Sequence, residues 1–184
     1  MEIHLVRTEQ KAEQVRALAW EFIDWLRGRY PEQSNSIDEY LINQNFKQQL
    51  AELLIHFCPP AGECLVAELD WEAAGIVMLK ASDNGTGEMN RMFVRAAARR
   101  QGIGRALCLR LIERARELGY DSMVLSALDQ HREALPLYRS LGFVDDKRDS
   151  DTQRMAELAA PLLPPLAPAS VSPFIPPMER PAMR

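Results

Sequence analysis

Little in this chain ties it to a membrane, a metal or an oxidising compartment. Its 184 residues contain no apolar run of about 18, the length a helix needs to cross a bilayer. The opening MEIHLVRTEQ lacks a basic segment followed by an apolar one, so no signal peptide is expected and a cytoplasmic location is. Only three cysteines occur, Cys58, Cys64 and Cys108, with neither metal-ligand spacing nor a disulfide framework. Cys58 and Cys64 flank Pro59-Pro60-Ala61-Gly62, a spacing that would suit a hairpin-like bridge, but a reducing cytosol argues against one. Cys108 falls in an apolar helical stripe and is expected to be a small core residue. No metal is implied. Cationic excess is missing too: the formal charge is −4, which argues against nonspecific nucleic-acid binding.

What is present is an ordinary globular bulk, 47% hydrophobic and 26% charged, enough for one domain with a full core. That domain is expected to occupy residues 1–160. From Pro161 the composition shifts: eight of the last 24 residues are proline, which cannot supply a sheet ladder or a helix interior. Residues 161–184 therefore read as an extended or disordered tail, or as an arm that lays Leu162, Leu163, Phe174 and Ile175 on a second subunit.

Periodicity predicts a strand at residues 3–7 and a helix over 11–29 capped by Thr8. A polar loop is expected at 31–36, then a second long helix over 37–57. Strands follow at 63–69 and 74–81 around a hairpin turn at Asp70-Trp71-Glu72, and a third at 88–94. Residues 102–118 form a clear amphipathic helix with Gly119 at its cap. A short strand at 123–126, a helix ending near Leu141 and two last strands complete the order. Pro136 fits that last helix only within its first turn.

The most informative stretch is VRAAARRQGIGRA, starting at Val94. Between Met89 and Ile112 lie six arginines (Arg91, Arg95, Arg99, Arg100, Arg105, Arg110) and no carboxylate, against the trend of the whole chain. A strand leads into this loop and a helix leads out. The first N–H groups of a helix lack intrahelical acceptors and carry partial positive charge, and glycines let an anion approach the backbone. A phosphorylated ligand is the natural occupant. The run is not GxxxxGK-S/T, and a dinucleotide fingerprint would need a third glycine where Leu107 stands. A coenzyme A pyrophosphate loop remains, beside the plainer alternative of a glycine-softened helix start with solvated arginines.

Residues 88–143 resemble the GNAT family of N-acetyltransferases. The family motif Q/R-x-x-G-x-G/A is matched by Arg99, Gly102 and Gly104, between a strand reading EMNRMFV and a helix reading GRALCLRLIERARELGY. A second landmark, LYxxLGF, is matched by Leu137-Tyr138-Arg139-Ser140-Leu141-Gly142-Phe143, about 35 residues downstream. The resemblance covers roughly a third of the chain. It implies an α/β fold of the α+β type: a mixed, mostly antiparallel central sheet with a V-shaped splay between strands 4 and 5, flanked by helices.

It further implies acetyl-CoA as cosubstrate and direct attack by a primary amine in a ternary complex. Main-chain groups of Phe93 and Val94 would meet the pantetheine arm. Arg99, Arg100, Gln101, Gly102, Ile103, Gly104 and Arg105 would hold the pyrophosphate, and Arg95 or Arg100 would reach the 3′-phosphate. Tyr138, a phenol with pKa near 10, would donate a proton to the departing thiolate; the competing role is packing on the cofactor helix. Glu88 is the expected general base, acting through water, with Glu68 and Asp70 as helpers; a solvated edge glutamate, or one binding the ammonium directly, is the alternative. His131 stands where the family often has asparagine, and would donate to the cofactor, shuttle a proton or lie on the surface. The acceptor, a small-molecule or peptide amine, would sit against residues 20–45, where Glu32, Asp38 and Glu39 either hint weakly at a cationic one or form a solvated acidic face, the reading preferred. The rival function is a noncatalytic acyl-CoA-binding sensor. No nucleic-acid or membrane partner is expected. Family members are often homodimers, and the sequence leaves the oligomeric state and the acceptor open.

Overall fold

The computed structural model describes residues 1–82, 85–128, 134–145 and 155–161. Strand β1 (Glu2–Leu5) leads into helix α1 (Glu9–Arg29), whose cap is Thr8, with Oγ1 accepting from the Lys11 N–H at 3.3 Å. The expected loop at 31–36 is instead a 3₁₀ turn at Pro31–Gln33 running into α2 (Ser34–Asn43). The single helix expected over 37–57 is three pieces, α2, α3 (Phe46–Ala51) and α4 (Leu53–His56). The break falls at Asn45, whose φ of +49° lies in the left-handed region that asparagine tolerates better than most residues. It turns Phe46 inward, where it is buried edge-on to Trp20 at 5.0 Å.

Strands β2 (Gly62–Leu69), β3 (Glu72–Ala81) and β4 (Thr86–Val94) form an antiparallel meander. The β2–β3 turn uses Asp70 and Trp71, both at positive φ, as a two-residue hairpin. Helix α5 (Ile103–Glu117) follows, then β5 (Ser122–Leu128), α6 (Leu135–Ser140), β6 (Val144–Asp145) and β7 (Met155–Pro161). Pro136 sits in the first turn of α6, as its missing N–H requires. The sheet order is β1-β2-β3-β4-β5-β7-β6, and β4–β5 is the one parallel pairing among the described residues. The ladder reaches Pro161, opposite Ser122, one residue into the segment expected to lie outside the domain; the end of a strand is where proline is tolerated. Residues 162–184, and His131, lie outside the described residues.

Strands β2 and β3 are buried on both faces, so their alternation separates two cores. Leu65, Ala67, Val77 and Leu79 face α5, while Cys64, Val66, Ile76 and Met78 face α1 to α4. The β4–β5 ladder spans only Thr86–Met89 against Ser122–Leu125. Beyond it β5 continues with β7, while residues 90–94 of β4 have no partner on that side among the described residues. The sheet therefore opens between its fourth and fifth strands, the splay expected from the sequence. All three cysteines are free, so Cys58 and Cys64 form no bridge.

One buried ion cluster ties the two faces together. Glu63, fully buried, accepts from Arg7 at 2.6 and 2.7 Å, from Arg114 Nε at 2.8 Å and from the Cys64 N–H at 3.1 Å. Burial alone would raise the Glu63 carboxyl, but the two arginines and the amide outweigh it and hold it below the usual carboxylate range. A depressed folded-state value contributes stability above the unfolded pKa of about 4.3 and loses it as pH falls through the folded one. Glu63→Gln is expected to cost about 2–4 kcal/mol at pH 7, the exposure of Arg7 keeping it at the low end for a broken buried pair. Thermal melts should show a drop in Tm of roughly 5–15 °C that narrows below about pH 4. A gap unchanged between pH 7 and pH 3 would refute the linkage.

Candidate active site

The opening between β4 and β5 leads into a cavity of about 1160 Å³. Three groups of residues form its walls. Residues 88–94 of β4 make one side. The loop and helix start, with Arg99, Arg100, Gly102, Ile103, Gly104 and Arg105, make the next, beside Leu137 and Tyr138 of α6. The α1–α3 region closes the far end with Phe22, Trp25, Ile37, Tyr40 and Phe46, where the acceptor wall was expected.

The loop takes the left-handed conformation twice in three residues, at Arg100 (φ +62°) and Gly102 (φ +82°). Gly102 caps α5 without a side-chain bond, and the first helical bond runs from the Ala106 N–H to the Gly102 carbonyl. The N–H groups of Ile103, Gly104 and Arg105 thus have no intrahelical acceptor, and all three residues line the cavity. Gly104 has room for a Cβ, the nearest atom being Leu137 Cδ2 at 3.5 Å.

The structure sorts the six arginines. Arg95 bonds Glu21 at 2.8 Å and the Ala73 carbonyl at 2.8 Å, and Arg110 pairs with Glu113 and Glu117 at 3.0 and 3.4 Å. Neither lines the cavity, so Arg95, expected to reach a phosphate, is committed elsewhere. Gln101 is exposed, donates to the Ala97 carbonyl at 3.5 Å and is likewise off the wall. Arg91, Arg99, Arg100 and Arg105 all line the cavity and have no carboxylate within ion-pair distance among the described residues. Arg99 is held by the Val94 carbonyl at 3.0 Å and stacks on Trp25 at 4.8 Å. Arg105 donates to Ser140 Oγ at 3.0 Å, tying α5 to α6.

Tyr138 is buried, packs edge-on to Phe143 at 6.1 Å and has no hydrogen-bond partner for its hydroxyl among the described residues. Burial, with a smaller contribution from Cys108, pushes its phenol well above the ordinary tyrosine range. Glu88 lines the cavity from the start of β4, paired with Lys80 at 3.1 Å; Lys80 also donates to Gln44 Oε1 at 2.9 Å. The proposed helpers are elsewhere. Glu68 is bound by Lys11, by Gln14 at 3.0 Å and by His4 at 3.1 Å, and Asp70 forms the hairpin turn. Glu32, Asp38 and Glu39 do not line the cavity, and Asp38 is paired with Arg27 at 2.7 Å, so the hint of a cationic acceptor is withdrawn.

Sequence reasoning gave the acceptor wall as residues 20–45 without singling out Trp25 or Tyr40, left Phe46 outside it and assigned no separate role to Arg91. No pattern in the sequence reports which face a bulged strand residue takes.

The sequence profile of the acetyltransferase (GNAT) family matches residues 19–143. An N-acetyltransferase of Schizosaccharomyces pombe is 37% identical over 102 residues, 54% of this chain and 63% of that protein. N-acetylaspartate synthetase of Danio rerio is 36% identical over 96 residues, 51% of this chain and 34% of that one. The chain thus spans less than two thirds of the length of these curated relatives. The crystal structure of a Bacillus subtilis acetyltransferase in complex with CoA superposes with a TM-score of 0.51 at 25% identity, covering 61% of this chain and 84% of that one.

Proposed function

Because this chain belongs to the GNAT acetyltransferase family, we propose that it transfers an acetyl group from acetyl-CoA to a primary amine by direct attack in a ternary complex. The observation that carries this reading is the content of one cavity: helix N–H groups without intrahelical acceptors beside Arg99, Arg100 and Arg105 at one end, an apolar aromatic chamber at the other, and on its wall the buried phenol of Tyr138, without a hydrogen-bond partner among the described residues.

The residues present fit a nucleotide thioester. The N–H groups of residues 103–105 would receive the diphosphate, with Arg100 and Arg105 adding charge. The unpaired side of β4 offers Phe93 and Val94 main-chain groups to the pantetheine amides. Bound acetyl-CoA supplies an activated acyl group. Glu88, through a water, takes the proton that frees the amine lone pair. As the amine nitrogen bonds to the acyl carbon and the C–S bond breaks, Tyr138 gives its proton to the sulfur, and the second proton the nitrogen must shed passes through water to the tyrosinate and restores the phenol. Much of the acceleration comes from holding the amine and thioester together.

Release of free thiol from acetyl-CoA across a panel of amines tests this directly, and failure to bind acetyl-CoA at millimolar concentration would end it. Glu88→Gln is expected to lower kcat/KM about 10- to 100-fold at pH 7, less at pH 9 where more of the amine is already neutral. Unchanged kcat/KM at pH 7 would remove Glu88 from the mechanism. The rival sensor reading needs neither Glu88 nor the Tyr138 hydroxyl, and so loses support from both.

A further inference from the structure

We propose that Arg91 receives a carboxylate of the acceptor, so that the substrate is an amine that also carries a carboxylate on an apolar body. This rests on the acetyl-transfer reading and deepens it. Arg91 lies on β4, three residues beyond Glu88, where the register against β3 shifts: Ile76 faces Phe93, but Met78 faces Asn90. Its φ of +50° is unusual for a residue with a side chain. In a regular strand Arg91 would share the face of Met89, which packs toward α5. The bulge puts it instead on the α1–α4 face, with its guanidinium 4.9 Å from the Phe46 ring and 5.3 Å from the Phe57 ring.

That placement is costly. Burial pulls the Arg91 guanidinium below its ordinary range, partly offset by Tyr40 and Glu88, which lie close enough to act on it electrostatically. A guanidinium has five N–H donors. Among the described residues Arg91 finds one oxygen, Gln49 Oε1 at 3.0 Å, and one weak acceptor, Met78 Sδ at 3.9 Å. Among the described residues no carboxylate is within ion-pair distance, and Arg91 lines the cavity. A bidentate carboxylate matches the planar fork and supplies the missing charge. Glu88, the carboxylate close enough to act on it, is paired with Lys80. Around this cation the chamber is apolar, with Phe22, Ile23, Trp25, Leu26 and Ile37 on its wall. An amine held near Glu88 and a carboxylate at Arg91 describe an apolar or aromatic amino acid.

The test is a set of matched acceptors: phenylalanine and leucine, each beside the amine left when its carboxylate is removed, 2-phenylethylamine and 3-methylbutylamine. Wild type is expected to favour each acid at least about tenfold in kcat/KM. Arg91→Met should lower kcat/KM for the acids about 10- to 100-fold and change the amines less than about threefold, with Arg91→Lys in between for the acids. Affinity for acetyl-CoA, measured by titration, should be unchanged in both variants. A parallel loss on acids and amines marks Arg91 as merely structural and overturns the inference. So does a wild-type preference for the amines, or acetyl-CoA binding with transfer to none of the four. If Arg91→Met does not fold, the wild-type preference and Arg91→Lys decide. Absence of acetyl-CoA binding by wild type instead sinks the acetyl-transfer reading beneath it.

Discussion

Gly104→Asp is expected to abolish acetyl-CoA binding while the protein stays folded. The helix start at Ile103 presents N–H groups with no intrahelical acceptors, and Gly104 is the second of them. A Cβ there meets only ordinary contacts, Leu137 Cδ2 at 3.5 Å and Met92 Cε at 3.7 Å, so the backbone has no need to move. What changes is charge. A carboxylate about 4 Å from a phosphate costs about 4 kcal/mol at the effective dielectric of a protein surface, so affinity should fall on the order of 10³-fold. Gly104→Ala is the control, since it adds the volume without the charge, and should stay within about tenfold of wild type. Calorimetric titration with acetyl-CoA separates the two, and equal affinity for wild type and Gly104→Asp would mean that the diphosphate sits elsewhere.

The second large effect is expected at Tyr138. Tyr138→Phe removes one oxygen that has no protein partner among the described residues, and leaves the ring packed on Phe143. Stability and acetyl-CoA affinity should therefore hardly move. Turnover should fall about 10²-fold or more, because the departing sulfur loses its proton donor. Burial raises the Tyr138 phenol, so its acid form persists above the ordinary tyrosine value of about 10. The alkaline limb of the kcat profile should accordingly begin no lower than about pH 10. A wild-type kcat that declines between pH 7 and 9 with the limb lost in Tyr138→Phe would contradict the sign of the shift. Undiminished turnover would return Tyr138 to a packing role.

The two effects also separate the enzyme from a sensor. Gly104→Asp strikes both, since both need the anion site. Tyr138→Phe strikes only the enzyme.

The local devices of this fold were legible in the chain. Thr8 caps α1 as its position before an apolar period suggests, and the stripe of Leu107, Leu111 and Ala115 along α5 follows from helical spacing. The arginine-glycine loop stood out as a candidate anion site because too many like charges stood together with no acid among them. Such signals survive in sequence because each depends on neighbours a few residues away. The reading failed where distance along the chain mattered. Asn45 breaks a helical pattern that runs unbroken from Ile37, because burying Phe46 against Trp20 outweighs helix continuity. Glu63 gave no hint of its burial, since its partners Arg7 and Arg114 lie 56 and 51 residues away.

Composition and periodicity alone predicted an α/β order of elements and a strand-loop-helix suited to an anion, and the two motifs around Gly102 and Tyr138 pointed to the family that its sequence profile shows. Only the folded chain decided which arginines are free. Arg95 and Arg110 look no different from Arg91 or Arg100 in sequence, yet Glu21, Glu113 and Glu117 neutralise the first two. A charge becomes available to a ligand by what packs beside it. For Arg91 that is set by a single bulge, which sends its side chain to the opposite face of the sheet.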